Sequence, residues 1–277
     1  MNPAWSVILF TTLAGAGQGL FLAAFATQGP AHFVLIALVL TAAGLAASFF
    51  HLGRPERAWR TAAMWRTSWL SREVIVLPLF MVLALVFYLT NSPVAGWLAV
   101  LACAALFVCT AMIYACLQFL QEWASPLTLL NFALLGIASG LTLAAALDPS
   151  YSLAAILATV AAGMARAASL YRNARLRPRS TVQSAIGIDH PQIAQKAQGA
   201  ISGSFNTREF FHGRGPLALR NVKWFFLVAA FFAPPLLLLA GWPAPAFAVQ
   251  FCGLLAERWF FFAQASHPQN LYYQAVS

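Results

Sequence analysis

Long runs of apolar residues dominate the chain, and polar residues are gathered into the stretches between them. A membrane-spanning helix needs roughly 20 mostly apolar residues. Eight runs reach that length, and they predict spans at 4–27, 31–51, 73–90, 94–118, 126–147, 151–171, 221–241 and 244–265. We therefore predict an all-α integral membrane protein whose residues 1–277 form a single membrane domain, an eight-transmembrane-helix bundle.

The connectors between these spans are of two kinds. Four are short and each carries a proline, which favours ending one helix and starting the next; they are residues 28–30, 91–93, 148–150 and 241–243. The other three, 52–72, 119–125 and 172–220, are longer. An even number of spans places the three longer connectors and both termini on one face of the membrane. Pro234 and Pro235 additionally predict a kink in the seventh span.

The composition excludes a soluble protein. Hydrophobic residues make up 61% of the chain and charged residues only 8%, whereas a soluble domain carries about 25% charged residues. The net charge of +9 does not indicate binding to nucleic acid, because fifteen of the sixteen Lys and Arg residues lie on or beside the face of the longer connectors. The positive-inside rule makes that face cytoplasmic, and we expect both termini to be cytoplasmic as well.

Cysteine, glycine and histidine positions indicate packing more than metal chemistry. The four cysteines show neither CxxC nor zinc spacing. Two pairs of glycines, Gly15/Gly19 and Gly136/Gly140, have the GxxxG spacing that lets membrane helices approach closely. Bis-histidine haem needs two histidines that face each other inside the bundle, but the histidines here lie in loops or at helix ends. We therefore expect neither haem nor metal in this chain.

Ionisable residues at membrane depth mark functional sites by default, because burying a charge is costly. They are His51 ending span two, Glu73 opening span three, Arg166 late in span six, and Glu257–Arg258 late in span eight. All lie towards the predicted cytoplasmic ends of their spans. A secondary transporter, the alternative from another functional class, places its binding site near the bilayer midplane and is often built from internal repeats. The sequence instead predicts a one-sided polar pocket.

A quinone head group suits such a pocket, because its carbonyl oxygens accept hydrogen bonds and its redox chemistry moves two protons. Histidine donates hydrogen bonds and exchanges protons near neutral pH, and a desolvated glutamate serves as a proton donor or acceptor. His51 and Glu73 supply these two groups. Two simpler interpretations stay open, namely snorkelling of His51 to the interface and stabilisation of Glu73 by the dipole of its helix.

The segment HLGRPERAW at residues 51–59, followed by SWLSRE at 68–73, resembles the signature of the membrane-anchor subunits of the DMSO reductase family. The resemblance implies a haem-free anchor that passes electrons between the quinone pool and a soluble complex at the bacterial inner membrane. The implied partners are a four-cluster, ferredoxin-like iron–sulfur subunit and a molybdopterin catalytic subunit. The family's quinone-site histidine and glutamate fall on His51 and Glu73. Arg54, Arg57 and Arg258 are weaker candidates for the same site.

The long connector 172–220 resembles that of the sulfite-oxidising, quinone-reducing branch of these anchors. We expect it to dock the iron–sulfur partner together with connector 52–72, and the alternative is an amphipathic segment that lies on lipid. The residues expected to carry docking are Arg60, Arg66, Phe205, Arg208, Phe210 and Phe211. The preferred hypothesis is therefore sulfite oxidation coupled to quinone reduction, ahead of quinol-driven reduction of DMSO or another S- or N-oxide. Alone, the chain is expected to catalyse nothing.

Overall fold

The computed structural model of the protein describes residues 1–50, 55–194 and 210–272. Throughout these residues the regular structure is helical, and eight helices are long and apolar enough to cross a membrane. They are α1 (Trp5–Ala26), α2 (Ala31–Phe49), α3 (Trp69–Thr90), α4 (Pro93–Ala115), α5 (Pro126–Leu147), α6 (Ser152–Ala174), α7 (Pro216–Leu239) and α8 (Pro243–Ala263). The predicted all-α fold with eight candidate spans is confirmed.

The longer connectors contain short helices of their own. Residues Pro55–Met64 of connector 52–72 form a 3-10 helix, and Val182–Ile186 of connector 172–220 forms one helical turn. A second 3-10 helix, Pro268–Tyr272, follows α8. The N-terminal ammonium of Met1 donates to the carbonyl of Ala265 at 2.7 Å, so the start of the described chain lies beside the end of α8. We call the end of the bundle that carries these segments the connector face.

Helix α3 begins earlier than the sequence predicts, and this changes the position of Glu73. The helix begins at Trp69 because Ser68 caps it, with the Ser68 hydroxyl accepting from the backbone N–H of Ser71 at 3.3 Å. Arg72 fastens the preceding connector by donating to the carbonyls of Trp65 and Arg66, both at 2.9 Å. Glu73 therefore lies past the first turn of α3, inside the bundle and not at the first residue of the helix.

The two GxxxG pairs pack against each other where α1 crosses α5. A methyl group added to Gly19 would lie 2.1 Å from the carbonyl oxygen of Gly136, and one added to Gly140 would lie 2.1 Å from the backbone of Gly19. Only glycine leaves room for two backbones at this separation. The predicted close approach is present, and it makes α1 a central helix that also contacts α2, α4 and α8.

Helix α7 is irregular at the point that its prolines predict. A π-helical segment, Leu227–Phe232, directly precedes the turn containing Pro234 and Pro235. Because neither proline has an N–H, the carbonyl of Ala230 has no α-type or π-type backbone donor. The buried amide of Gln250 on α8 donates to this carbonyl at 3.3 Å. A side chain from the neighbouring helix thus satisfies the backbone group that the prolines leave unpaired.

Candidate functional site

A cavity of about 480 Å³ lies between the connector-face ends of α1, α2, α3 and α4. Its wall is mostly apolar, and Glu73 is the one charged residue among the described residues that line it. The lining residues are Val7, Phe10, Leu45, Ser48, Phe49, Ala58, Trp59, Thr61, Leu70, Glu73, Val74, Leu77, Pro78, Ile113 and Tyr114. Small-molecule sites in proteins usually combine such an apolar wall with a few placed polar groups.

The carboxyl group of Glu73 is fixed from α4. Glu73 is only 5% exposed, and the hydroxyl of Thr110 donates a short hydrogen bond to its Oε1. Thr110 lies one turn of α4 before Tyr114, which lines the same cavity. A buried carboxyl with one donor keeps its second oxygen available for a ligand or a proton. Sequence reasoning missed Thr110, since a threonine in an apolar helix usually bonds a carbonyl of its own helix.

The 3-10 helix Pro55–Met64 forms part of the wall of this cavity. Ala58, Trp59 and Thr61 contribute to the lining, although Trp59 is also 72% exposed, and Arg57 and Arg60 are exposed. Arg57 is therefore beside the cavity without lining it. The guanidinium of Arg60 lies 5.4 Å from the ring centre of Trp59. The family-like segment 51–59 thus supplies part of the wall.

Two predicted site residues, His51 and Arg54, lie outside the described residues. Phe49, two residues before His51, lines the cavity together with Glu73. The convergence of His51 and Glu73 on one ligand stays a prediction.

Arg258 lies in a separate buried cluster and not in the cavity wall. Arg166 Nε is 2.8 Å from Glu257 Oε1, and Arg258 Nε is 3.7 Å from Glu257 Oε2. All three side chains are at most 5% exposed. The Arg258 guanidinium covers the face of Phe132 at 3.8 Å, and the ring of Phe132 stacks on Tyr114 at 5.5 Å. Two aromatic rings therefore separate Arg258 from the cavity.

These features agree with the similarity of the chain to known proteins. A family model described as DMSO reductase anchor subunit (DmsC) matches residues 1–189. The chain belongs to the DMSO reductase anchor subunit family. The anchor is also similar to a sulfite dehydrogenase subunit of Allochromatium vinosum, with 50% identity over 325 aligned positions that cover 100% of both chains. Membership in this family makes the chain a multi-pass membrane anchor and a component of a multi-subunit molybdoenzyme complex.

The residues that we expected to dock a partner have different surroundings in the anchor. Arg60 and Arg66 are exposed on the connector face. Phe205 and Arg208 lie outside the described residues. Phe210 and Phe211 are half-buried. Phe210 stacks on His267 with ring centres 3.8 Å apart, and its carbonyl accepts from Asn270 Nδ2 at 3.2 Å.

Phe210 therefore holds the long connector against the chain that follows α8. Burial lowers the pKa of His267, so this ring is less readily protonated than a free histidine. Burial also lowers the pKa of the Met1 ammonium to about 6, against the opposing effect of Glu122. Both groups are weakly basic at the connector face.

The described segments hold no cluster of three or more His, Cys, Asp or Glu side chains of the kind that binds a metal. All four cysteines are free, with Cys103 and Cys109 buried and Cys116 and Cys252 exposed. The absence of haem stays an expectation from the histidine positions.

Proposed function

We propose that this anchor subunit is quinone-reactive and passes electrons between an iron–sulfur partner subunit and the quinone pool. The observation that supports this most is the cavity of about 480 Å³ at the connector face, with an apolar wall and the carboxyl of Glu73. Ligand pockets of drug-sized molecules commonly occupy about 300–1,000 Å³. The apolar wall suits a quinone ring and the first part of its isoprenoid tail.

The proposed chemistry divides between the anchor and its partner. Reduction of a quinone to a quinol takes two electrons and two protons. The electrons come from a cluster of the iron–sulfur subunit. Glu73 gives one proton to a quinone oxygen and is left as a carboxylate, which the hydroxyl of Thr110 stabilises. His51 is proposed to hydrogen-bond the other carbonyl and to give it the second proton, and both His51 and Glu73 are then reprotonated from water.

The 50% identity to a sulfite dehydrogenase subunit favours sulfite oxidation with quinone reduction as the physiological direction. The family description keeps a second candidate, a quinol-oxidising anchor of a DMSO or other S- or N-oxide reductase. In both, a molybdopterin subunit performs the substrate chemistry, and a four-cluster iron–sulfur subunit connects it to the anchor. The anchor itself needs no haem in this scheme.

We further propose that the complex docks on the connector face and that this face is cytoplasmic at the bacterial inner membrane. The exposed arginines Arg57, Arg60 and Arg66 support this assignment, because cytoplasmic loops are enriched in basic residues. The 3-10 helix then lies between the docked partner and the cavity.

Replacing Glu73 tests the proposal. In the purified three-subunit complex, Glu73→Gln keeps the size of the side chain and removes the exchangeable carboxyl proton. We expect quinone-linked turnover to be lost while turnover with a soluble dye is retained. Glu56→Gln, an exposed glutamate of the 3-10 helix, is the matched control and should keep both activities. An assembled Glu73→Gln complex with wild-type quinone-linked turnover would overturn the proposal.

A further inference from the structure

Four charged side chains are buried within the described segments: Glu73, Arg166, Glu257 and Arg258. Three of them form the cluster on α6 and α8, where two arginines face one glutamate. That cluster therefore carries a net charge of +1 when Glu257 is ionised. An uncompensated buried charge is costly, so it favours an opposite charge within electrostatic reach. The fourth buried group, Glu73, is the one that can supply a negative charge.

A polar path joins Glu73 to this cluster. Thr110, which donates to Glu73, lines a small cavity together with Thr11 and Gln18. Thr11 also lines a second small cavity, and the other polar residues there are Thr12, Ser139 and Arg258. Thr11 is thus common to both cavities. Outside these polar groups the walls are apolar residues and glycine.

Each of the two cavities has a volume of about 10 Å³, which is about the space that one water molecule needs. The hydroxyls of Thr11, Thr12 and Ser139 already donate to carbonyls of their own helices. Their free lone pairs can therefore accept hydrogen bonds from a water in the adjacent cavity. Within the cluster, Arg166 Nη2 and Glu257 Oε2 are buried without a hydrogen-bond partner.

We propose that the Arg166–Glu257–Arg258 cluster is the counter-charge of ionised Glu73, and that two single-water sites sharing Thr11 connect the two. The proposal rests on the proposed quinone function and deepens it. When Glu73 gives its proton to a quinone oxygen, an O–H bond forms on the quinone and a carboxylate remains. The buried charge of the four side chains then sums to zero. Arg258, the cluster member that lines the path, acts as a positioning residue through this field.

Among the residues that the structure describes, the other ionisable groups near Glu73 do not take this role. The helices and segments that pack against α3 near Glu73 carry Cys109, Tyr114, Glu56, Arg57 and Arg60, and Arg72 lies on α3 itself. Cys109 and Tyr114 are uncharged at neutral pH. The three groups of the 3-10 helix are exposed, so water and salt screen them. The guanidinium of Arg72 is held in exposed hydrogen bonds to the carbonyls of Trp65 and Arg66, where water and salt screen its charge.

The pH dependence of quinone reduction tests this inference. Glu73 must be protonated to act as a donor, so the rate falls as the pH rises through its titration. Arg258→Met removes a positive charge, which destabilises the carboxylate and moves this fall to higher pH. Glu257→Gln removes a negative charge and moves it to lower pH. By Coulomb's law, at an effective dielectric constant of about 20, a unit charge at a separation of about 10 Å gives a shift of roughly one pH unit, which sets the scale of the effect.

The experiment uses the purified three-subunit complex and compares quinone-linked with dye-linked turnover across the pH range. Shifts of opposite sign for Arg258→Met and Glu257→Gln, with wild-type behaviour for Arg258→Lys and unchanged dye-linked profiles, support the inference. Unshifted profiles, or shifts of the same sign, overturn it. If Arg258→Met does not assemble, Arg166→Met tests the same loss of charge from farther away. A smaller shift to higher pH is then expected, and no shift overturns the inference.

Failure of the inference and failure of the proposed function give different results. If Glu73→Gln abolishes quinone-linked turnover but the cluster variants leave the pH profile unchanged, the proposed quinone site is supported and the proposed counter-charge is wrong. If Glu73→Gln remains fully active with quinone, the proposed function is wrong, and the counter-charge proposal, which rests on it, is wrong as well.

Discussion

Removing the Thr110 hydroxyl perturbs the Glu73 carboxyl without changing the shape of the site. Thr110→Val is nearly isosteric and deletes the donor to Oε1 of Glu73, a side chain that is 5% exposed in the protein. A hydrogen bond to a charged group contributes about 1.5–3 kcal/mol. Each 1.36 kcal/mol is tenfold in rate. If the carboxylate forms as the quinone is protonated, quinone-linked turnover should fall roughly 10- to 150-fold.

Quinone-linked and dye-linked turnover of the same purified complex measure this effect. The dye-linked rate reports the partner subunits and should stay unchanged. Thr142→Val is the matched control, because Thr142 is fully buried on α5 and its hydroxyl donates only to the carbonyl of Ala138 in its own helix, at 2.8 Å. If the quinone-linked rate of Thr110→Val is within twofold of the rate of Thr142→Val, the reasoning about the Glu73 carboxylate is refuted.

Two further predictions concern the fold and the topology. Gly140→Ala places a methyl group 2.1 Å from the backbone of Gly19, whereas Gly15→Ala places one 3.5 Å from Gly136 Cα. Thermal unfolding in detergent should therefore show Gly140→Ala destabilised by about 1–3 kcal/mol or more and Gly15→Ala close to wild type. Equal stabilities of the two variants would contradict the described α1–α5 packing. In a cysteine-free background, a membrane-impermeant thiol reagent should label Ser150→Cys in intact cells and should label Asp189→Cys only after the membrane is opened. The reverse pattern would show that the proposed orientation is wrong.

The eight spans could be predicted because the length of an apolar run alone decides whether a helix can cross a bilayer. Their exact ends could not, because capping is local. Ser68 starts α3 at Trp69, before the predicted residue 73, and α4 ends at Ala115 instead of 118. The irregular part of α7 was predictable from Pro234 and Pro235, but the donor from Gln250 was not, since it depends on how α8 packs.

Only part of the candidate site could be predicted, because some of its contacts depend on how distant helices pack. Glu73 stands out as a carboxylate at the edge of an apolar run, so the sequence alone identifies it. Thr110 carries no such signal, and only the packing of α3 against α4 brings its hydroxyl to the carboxyl. Arg166 and Glu257 were both visible as ionisable residues at membrane depth. Their ion pair was not predictable, because it joins helices that are far apart in sequence.

Arg258 shows that the sequence can identify a residue as unusual without predicting what surrounds it. Its position late in α8 made it a weaker candidate for the quinone site, behind His51 and Glu73. In the structure Phe132 and Tyr114 lie between its guanidinium and the cavity. In the proposed counter-charge arrangement its influence on the site is electrostatic, over a distance that the sequence does not encode.

A photoreactive quinone analogue can locate the quinone on the anchor directly. After illumination of the assembled complex, mass spectrometry of the digested anchor identifies the labelled peptides. We expect labelling within residues 55–64, 70–78 or 113–114, the segments that contribute residues to the wall of the Glu73 cavity. That labelling should be lost when excess natural quinone competes. Competed labelling at the opposite end of the bundle, in the cavity of about 760 Å³ lined by Phe25, Asn91 and Trp97, would show that the quinone binds away from Glu73.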